Sequence, residues 1–174
     1  MTRIEAARVE SPVGWLSVFA RGGFLVGLEF EAGDREPRAV LLRRFPDATF
    51  EDVRHGQFRE LLQRYFDGDL HALDEAPCDP GGTPFQARVW QALRTIPVGR
   101  TWSYGQLACH LGDPKAVRAV GFANGANPIA IVIPCHRVIG ADGSLVGYGG
   151  GLERKRRLLA HEGALPAEQP SLFA

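Results

Sequence analysis

The sequence predicts two joined units: an α/β N-terminal domain built on an antiparallel sheet, and a mainly α C-terminal domain containing a helix-turn-helix. Three observations predict it. Residues 4–30 alternate short apolar runs with glycine-containing turns. Pro77-Cys78-Asp79-Pro80-Gly81-Gly82 is a punctuation run that divides the chain. Beyond it, apolar residues recur at helical spacing behind two capping boxes. The predicted boundaries are 1–78 and 83–174, with 79–82 as the linker.

Residues 4–9 read as the first strand, closed by the turn signal Ser11-Pro12-Val13-Gly14. Residues 15–19 follow, then Arg21-Gly22-Gly23, then the run 24–30, which together make a meander. Residues 37–45 suit a short helix. Phe58, Leu61, Leu62, Tyr65 and Phe66 repeat at helical spacing, so 56–66 is an amphipathic helix with these side chains in the core; Asp67-Gly68 ends it.

The next helix has an explicit start. Thr83 can cap it, Pro84 occupies its first turn, and Gln86 completes a T-x-x-Q box. Phe85, Val89, Trp90 and Leu93 form its apolar face, and Pro97 stops it. Ser103-Tyr104-Gly105-Gln106 is a second box; Leu107, Cys109 and Leu111 follow, with Cys109 read as a small core residue, and Gly112 closes the helix. Asp113-Pro114 opens another helix, reaching through Arg118 to residue 124. Two short helices joined by a tight turn fit a helix-turn-helix. Ala116, Ala119, Gly121 and Ala123 are all small, so this helix can closely approach either a DNA groove or a neighbouring helix.

Asn127-Pro128 breaks the chain, and the apolar run 129–133 reads as a buried strand or extended segment that delivers Pro134-Cys135-His136-Arg137. Residues 140–151 are a glycine-rich loop containing Tyr148; residues 152–162 form a last helix closed by Gly163. There is no internal repeat and no heptad pattern.

Composition narrows the function classes. Gly and Pro make up 33 of 174 residues, short of the range of disordered chains. No apolar run reaches the roughly 18 residues of a spanning helix, and Met1-Thr2-Arg3-Ile4-Glu5 lacks the apolar stretch of a secretory signal. Three cysteines are too few for a disulfide scaffold. The expectation is a cytoplasmic protein with reduced thiols. Formal net charge is zero, which speaks against a polycation that coats nucleic acid. The charge is uneven, however. Residues 1–84 hold ten Arg/Lys against fifteen Asp/Glu, net −5; residues 85–163 hold ten against four, net +6. Either the basic half meets an anion, or two solvated surfaces happen to differ.

The cysteines (Cys78, Cys109, Cys135) and histidines (His55, His71, His110, His136, His161) include no C-x-x-C and no H-x-x-x-H, so no metal site is expected. Cys135-His136 ends an apolar run, placing a thiol at the mouth of a core. A free thiol titrates near about 8.5, and a neighbouring cation or base favours the nucleophilic thiolate. His136 and Arg137 are the neighbours in sequence. Successive strand side chains point to opposite faces, so a water or an irregular turn is needed to link Cys135 with His136. A plain structural cysteine is the competing reading. Tyr104, Arg118, Asn127 and Glu162 each also fit ordinary structural places. Arg154-Lys155-Arg156-Arg157 fits a solvated helix face or a phosphate contact.

The run from Asn127 to Gly140, with Pro134-Cys135-His136-Arg137-Val138 at its centre, resembles the signature of O6-alkylguanine-DNA alkyltransferases. Phe85-Gln86-x-x-Val89-Trp90, Tyr104-x-Gln106-Leu107-Ala108, Arg118-Ala119-Val120-Gly121, the segment Gly147 to Leu152 and Leu158-Leu159-x-His161-Glu162-Gly163 follow the family's order. The likeness is dense over 83–163; before that only Ser11-Pro12-x-Gly14 matches. It implies a ribonuclease H-like N-terminal domain and a winged-helix-like C-terminal one. It also implies direct DNA repair, in which an alkyl group passes once, irreversibly, from O6 of guanine, or O4 of thymine, to the thiolate of Cys135.

By the same resemblance, His136 and Glu162 relay the proton through a water, Tyr104 donates to the leaving base, and Asn127 organises the turn before the active site. The Gly149 N–H faces O6, the carbonyls of Cys135 and Val138 accept from the exocyclic amine, and Tyr148 lines the alkyl pocket. The implied partner is double-stranded DNA carrying O6-alkylguanine. Arg118 fills the gap left by a flipped base, and Ala119, Gly121, Ala123 and Asn124 lie along the minor groove. No cofactor, metal or membrane is implied, and the chain is expected to be a monomer. The rivals are a Cys-His hydrolase, which would turn over, and a lesion-binding module, which would work without Cys135.

Overall fold

In the computed structural model, which describes residues 1–32, 36–54 and 56–165, the N-terminal runs are strands β1 (Thr2–Ser11), β2 (Gly14–Arg21) and β3 (Phe24–Phe30). His55 and everything beyond residue 165 in the predicted 83–174 domain, Glu168 included, lie outside the described residues. Adjacent strands pair antiparallel, with Ser11 opposite Gly14 and Arg21 opposite Phe24. Gly22 and Gly23 have φ of 56° and 83°, the double positive φ that a two-residue hairpin turn requires.

The sheet is mixed rather than antiparallel. Helix α1 (Pro37–Arg44) carries the chain from β3 across to the far edge, where β4 (Ala48–Asp52) pairs parallel with β1 in the order β3-β2-β1-β4. A crossover helix is what lets a returning strand run parallel. α1 covers one face of the sheet through Leu41, packed with Ile4, Ala6, Phe19 and Val26. Helix α2 (Gln57–Phe66) covers the other through Phe58, Leu62 and Tyr65.

The C-terminal half contains α3 (Pro84–Leu93), α4 (Tyr104–His110), α5 (Val117–Gly125) and α6 (Leu152–His161). Both capping boxes form, on Thr83/Gln86 and on Ser103/Gln106. α5 starts at Val117; Asp113 instead closes a turn by accepting from the Ala116 N–H at 3.0 Å. Trp90 Nε1 donates to the Ala123 carbonyl at 2.8 Å and ties α3 to α5.

Two sequence expectations are corrected. Cys109 is exposed rather than in the core. Leu107 and Ala108 take the inward face of the seven-residue α4, and position 109 lies about 200° round the helix from 107. Residues 129–133 form a buried turn rather than a strand. Only Ile129 bridges β3, through Leu28. The Val132 N–H returns to the Ala130 carbonyl at 2.8 Å and the Ile133 N–H to the Ile129 carbonyl at 3.1 Å, so the turn satisfies its own backbone. Ile131 sits at φ 70° and is 2% exposed. That conformation costs a β-branched residue roughly 1–3 kcal/mol, offset here by burial.

The Pro/Gly run is not a loose tether. Leu25 exchanges hydrogen bonds with Pro77 and Asp79, each 2.8 Å, and Leu28 does so with Pro128 and Ala130, each 3.0 Å. These contacts cover the free edge of β3. One apolar core runs from Leu16, Val18 and Leu28 through Trp90, Leu107 and Val120 to Val138 and Leu158. No helix among the described residues is long and apolar enough to cross a membrane.

Candidate active site

Strands β5 (Trp102–Ser103) and β6 (Val138–Ile139) pair parallel, Trp102 opposite Val138. That pairing brings the start of α4, with Tyr104, alongside the segment carrying Cys135. Cys135 opens a single 3-10 turn, Cys135–Arg137, and is 7% exposed. Its thiol lies in a cavity of about 460 Å³, lined also by Tyr104, Asn124, Asn127, Tyr148 and Gly149, a size suited to a small molecule or base.

Asn127 holds the turn that presents the thiol. Its Oδ1 accepts from the Ile129 N–H at 3.0 Å, and its Nδ2 donates to the Ile133 carbonyl at 2.8 Å. One side chain therefore pins both ends of the buried turn.

Behind Cys135 is a fully buried polar cluster. Glu162 Oε1 receives the Tyr65 hydroxyl (2.8 Å), lies 2.8 Å from His136 Nε2 and accepts from Arg137 Nη2 (2.9 Å); Oε2 accepts from Arg137 Nε (2.9 Å). Burial alone would raise the Glu162 carboxyl. Its pairing with His136 and the bonds from His136 and Arg137 outweigh it and hold the group well below the usual carboxylate range. Facing a carboxylate, His136 Nε2 must carry the proton. In a neutral ring Nδ1 is then the acceptor. His136 Nδ1 has no hydrogen-bond partner among the described residues, nor do Asn124 Oδ1 and Tyr148 OH. Asn124 and Tyr148 line the cavity. Buried polar atoms without partners are uncommon and mark places where other chemistry is to be satisfied.

The resting thiol is not activated by its sequence neighbours. His136 and Arg137 both turn towards Glu162. Burial pushes the Cys135 thiol up, only partly countered by Asn127 and by the Lys155 charge. Cys135 therefore needs a base to take its proton before it can act as a nucleophile.

Lys155 is fully buried. Its Nζ donates to the carbonyls of Val138 (2.6 Å), Val146 (2.9 Å) and Gly147 (3.4 Å), which fastens the glycine-rich loop to the cavity wall. Burial brings its ammonium down to about 8, against a smaller upward pull from Cys135. Tyr148 leaves that loop to pack edge-on against Phe30 of β3, ring centroids 5.8 Å apart. A Cβ on Gly150 would meet the Phe30 ring at 2.6 Å, so this close approach depends on glycine.

Residues 84–164 match the family model described as "6-O-methylguanine DNA methyltransferase, DNA binding domain". Over 169 residues the chain is 46% identical to the methylated-DNA–protein-cysteine methyltransferase of Salmonella typhimurium, covering 95% of this chain and 99% of that one. The chain belongs to the methylated-DNA–protein-cysteine methyltransferase family. A second member, from Mycolicibacterium paratuberculosis, is 49% identical over 91% of this chain and 92% of its own. The fold is similar to the crystal structure of Mycobacterium tuberculosis O6-methylguanine methyltransferase, with TM-score 0.79 and 41% identity over 98% of this chain and 99% of that chain. It is also similar to M. tuberculosis OGT in complex with DNA, with TM-score 0.78 and 42% identity over 92% and 93%.

The structure gathers most residues singled out on the family resemblance. Cys135, Tyr104, Asn124, Asn127, Gly121, Tyr148 and Gly149 share the cavity, and His136 and Glu162 lie behind it. Val138 is fully buried, and its carbonyl already accepts from Lys155. On α5, Arg118 and Ala119 are exposed, whereas Ala123 and Asn124 are 3% and 5% exposed and face inward. Ala123 faces inward because its turn of helix packs on Trp90. Asn124 sits beside the Tyr104 hydroxyl, which burial raises and the Asn124 amide partly lowers.

Sequence reading missed Tyr65 and Lys155, which join this site through Glu162 and the Val138 carbonyl. The helical pattern of α2 assigned Tyr65 to the core, where its ring does lie, but a buried hydroxyl needs a partner, and that was the signal available. Lys155 was hidden in the basic run. Its position at i−3 and i−4 from Leu158 and Leu159 marks it as inward-facing. Arg154 is only partly exposed, donating to the Val13 and Gly150 carbonyls at 2.7 and 3.0 Å.

Proposed function

We propose that this protein repairs DNA by stoichiometric, irreversible transfer of an alkyl group from O6 of guanine, or O4 of thymine, to Cys135. The observation that carries the reading is the buried Cys135 thiol, set in a base-sized cavity with the His136–Glu162 pair behind it and Nδ1 free to accept. His136 Nδ1 takes the thiol proton through a bridging water. The thiolate attacks the alkyl carbon, forming S–C as C–O6 breaks. Tyr104 donates to the leaving purine ring, and the Gly149 N–H faces the oxygen. The Cys135 and Val138 carbonyls accept from the exocyclic amine, with the second lone pair of the Val138 oxygen available beside Lys155. The thioether is stable and no group here removes it, so each molecule acts once.

The target base has to leave the stack to reach Cys135. α4 and α5 act as a helix-turn-helix in a winged-helix-like domain, with α5 in the minor groove and Arg118 in the gap left by the base. The N-terminal half, with its mixed sheet and β3–α1–β4 crossover, corresponds to the ribonuclease H-like domain, joined at 79–82. The protein works as a cytoplasmic monomer without cofactor.

The test is intact mass before and after incubation with a duplex containing O6-methylguanine. One added methylene mass, mapped to Cys135 and absent in Cys135→Ser, supports the proposal. Binding without a mass change would make the protein a lesion-binding module, and repeated turnover would make it a hydrolase.

A further inference from the structure

Helix α5 turns Val117, Arg118, Ala119, Phe122 and Gly125 to solvent. Of its exposed residues, Ala119 and Gly125 are small, while Arg118 and Phe122 project, with Val117 beside them. Arg118 and Phe122 are four residues apart and therefore stack on one side of the helix. Phe122 is 80% exposed and Val117 41%; among the described residues only Met1 is a more exposed large hydrophobic. They border an open depression of about 720 Å³ with Tyr104, Gly121 and Gly125. Those last three residues also line the Cys135 cavity. The apolar patch is thus continuous with the mouth of the active site.

We infer that Phe122 is a second probe of the DNA duplex, its ring entering the minor groove at a base step near the one Arg118 occupies. This rests on the alkyl-transfer reading above and deepens it. Charge favours DNA as the occupant. α5 carries no acidic residue, Arg118 lines the patch, the preceding turn holds Lys115 as well as the acidic Asp113, and the whole helix lies in the matched DNA-binding domain, residues 84–164. Geometry fits as well. Four residues of helix advance about 6 Å, within two base steps of about 3.4 Å each. Apolar wedges that partly unstack a step are a recurrent minor-groove device, and unstacking beside the lesion lowers the barrier to extruding it. A phenylalanine projecting from this face would either enter the groove or hold the helix away from it.

The experiment compares wild type with Phe122→Ala and Phe122→Trp, after thermal melting has verified that both are folded. The probes are a short duplex carrying O6-methylguanine and the free base O6-benzylguanine, which needs no extrusion. Phe122→Ala is expected to bind the duplex at least tenfold more weakly and to accept alkyl from it more slowly, with transfer from the free base within twofold of wild type. The Phe122→Trp emission is expected to be quenched when the duplex binds. Duplex affinity unchanged in Phe122→Ala, or an unquenched tryptophan, overturns the inference. So does a wild-type dimer in sedimentation that Phe122→Ala dissolves, since the patch would then serve a second copy of the chain. Failure of wild type to transfer from either substrate counts against the alkyl-transfer reading, while binding and quenching still decide Phe122.

Discussion

The Tyr65 hydroxyl, on helix α2 of the N-terminal half, donates to Glu162 Oε1 at 2.8 Å, across 97 residues of sequence. The sheet domain thereby completes the shell of the carboxylate that orients His136. Burial and the Glu162 charge raise the Tyr65 hydroxyl far above its ordinary value, so it stays a donor at every working pH. Tyr65→Phe keeps the ring and removes this bond. A hydrogen bond to a charged group is worth about 1.5–3 kcal/mol, and a drop of several degrees in melting temperature is expected. Alkyl transfer should slow severalfold with duplex affinity unchanged. An unaltered rate would show that the bond serves stability alone.

Glu162→Gln should be harsher. It leaves the Arg137 guanidinium, 6% exposed, without its carboxylate. Breaking such a buried pair typically costs about 3–5 kcal/mol. The effect depends on pH in a defined direction. The folded Glu162 carboxyl lies well below its ordinary 4.5. Its stabilisation is therefore complete above that value and is lost as pH falls further. Urea unfolding at pH 7, 5 and 3 should show the gap between wild type and Glu162→Gln widest at pH 7 and narrowing at pH 3. A constant gap would contradict the assignment.

Local signals made most of the fold readable. Turn glycines announced β1 to β3, and two capping boxes announced α3 and α4. β4 was not readable, because Ala48–Asp52 is a short, polar, largely exposed edge whose only reason to be a strand is β1 beside it. The run 129–133 has the composition of a strand and becomes a turn because Asn127 grips both its ends. At the site, Cys135 and His136 were legible from one dense motif. Glu162 was expected beside His136 from the family resemblance, whereas the bonds of Tyr65 to Glu162 and of Lys155 to Val138 arise only through tertiary packing. Arg137 shows the hazard of adjacency: next but one to the thiol in sequence, it serves Glu162 and the Ile96 carbonyl at 2.7 Å.

Thiol reactivity should separate the cysteines by environment. Cys109 is exposed, whereas burial raises both Cys78 and Cys135. A raised thiol holds less thiolate at neutral pH and gains it only towards alkaline pH. Iodoacetamide at pH 7.5 should label Cys109 first, with Cys135 labelled more than tenfold more slowly. Peptide mapping after alkylated DNA should give the reverse, with Cys135 alone modified. Rapid iodoacetamide labelling of Cys135 would mean that its thiolate exists at rest and that the His136 relay is unnecessary.

Lys155→Met removes the donor that fastens Val146 and Gly147 to Val138. The loop bearing Tyr148 and Gly149 should loosen, and alkyl transfer should fall by tenfold or more while Cys135 remains in place. The lysine also leaves a pH signature. Its folded value, about 8, lies below the ordinary 10.5, so the unfolded chain holds more protons between them. Stability of wild type relative to Lys155→Met should therefore rise from pH 8 towards 10.5. Paired denaturation curves at pH 7.5 and 9.5 check the sign, and a falling difference would refute it.

Gly149 lines the cavity that holds Cys135. A Cβ built there meets nothing within 4 Å, so the cavity wall is open at this point and a side chain would enter space rather than collide. Groups larger than methyl should therefore fit, and benzyl should transfer from O6 of guanine in DNA within about tenfold of the methyl rate. Gly149→Phe places a ring in that space and keeps the backbone N–H. It should lower the benzyl rate at least tenfold more than the methyl rate, since one misplaced ring against a pocket wall readily costs more than about 1.4 kcal/mol, the equivalent of a factor of ten. Single-turnover rates on the two substrates decide the matter. Strict methyl preference in wild type would mean that another wall limits the pocket, with Tyr148, packed on Phe30, the side chain to examine.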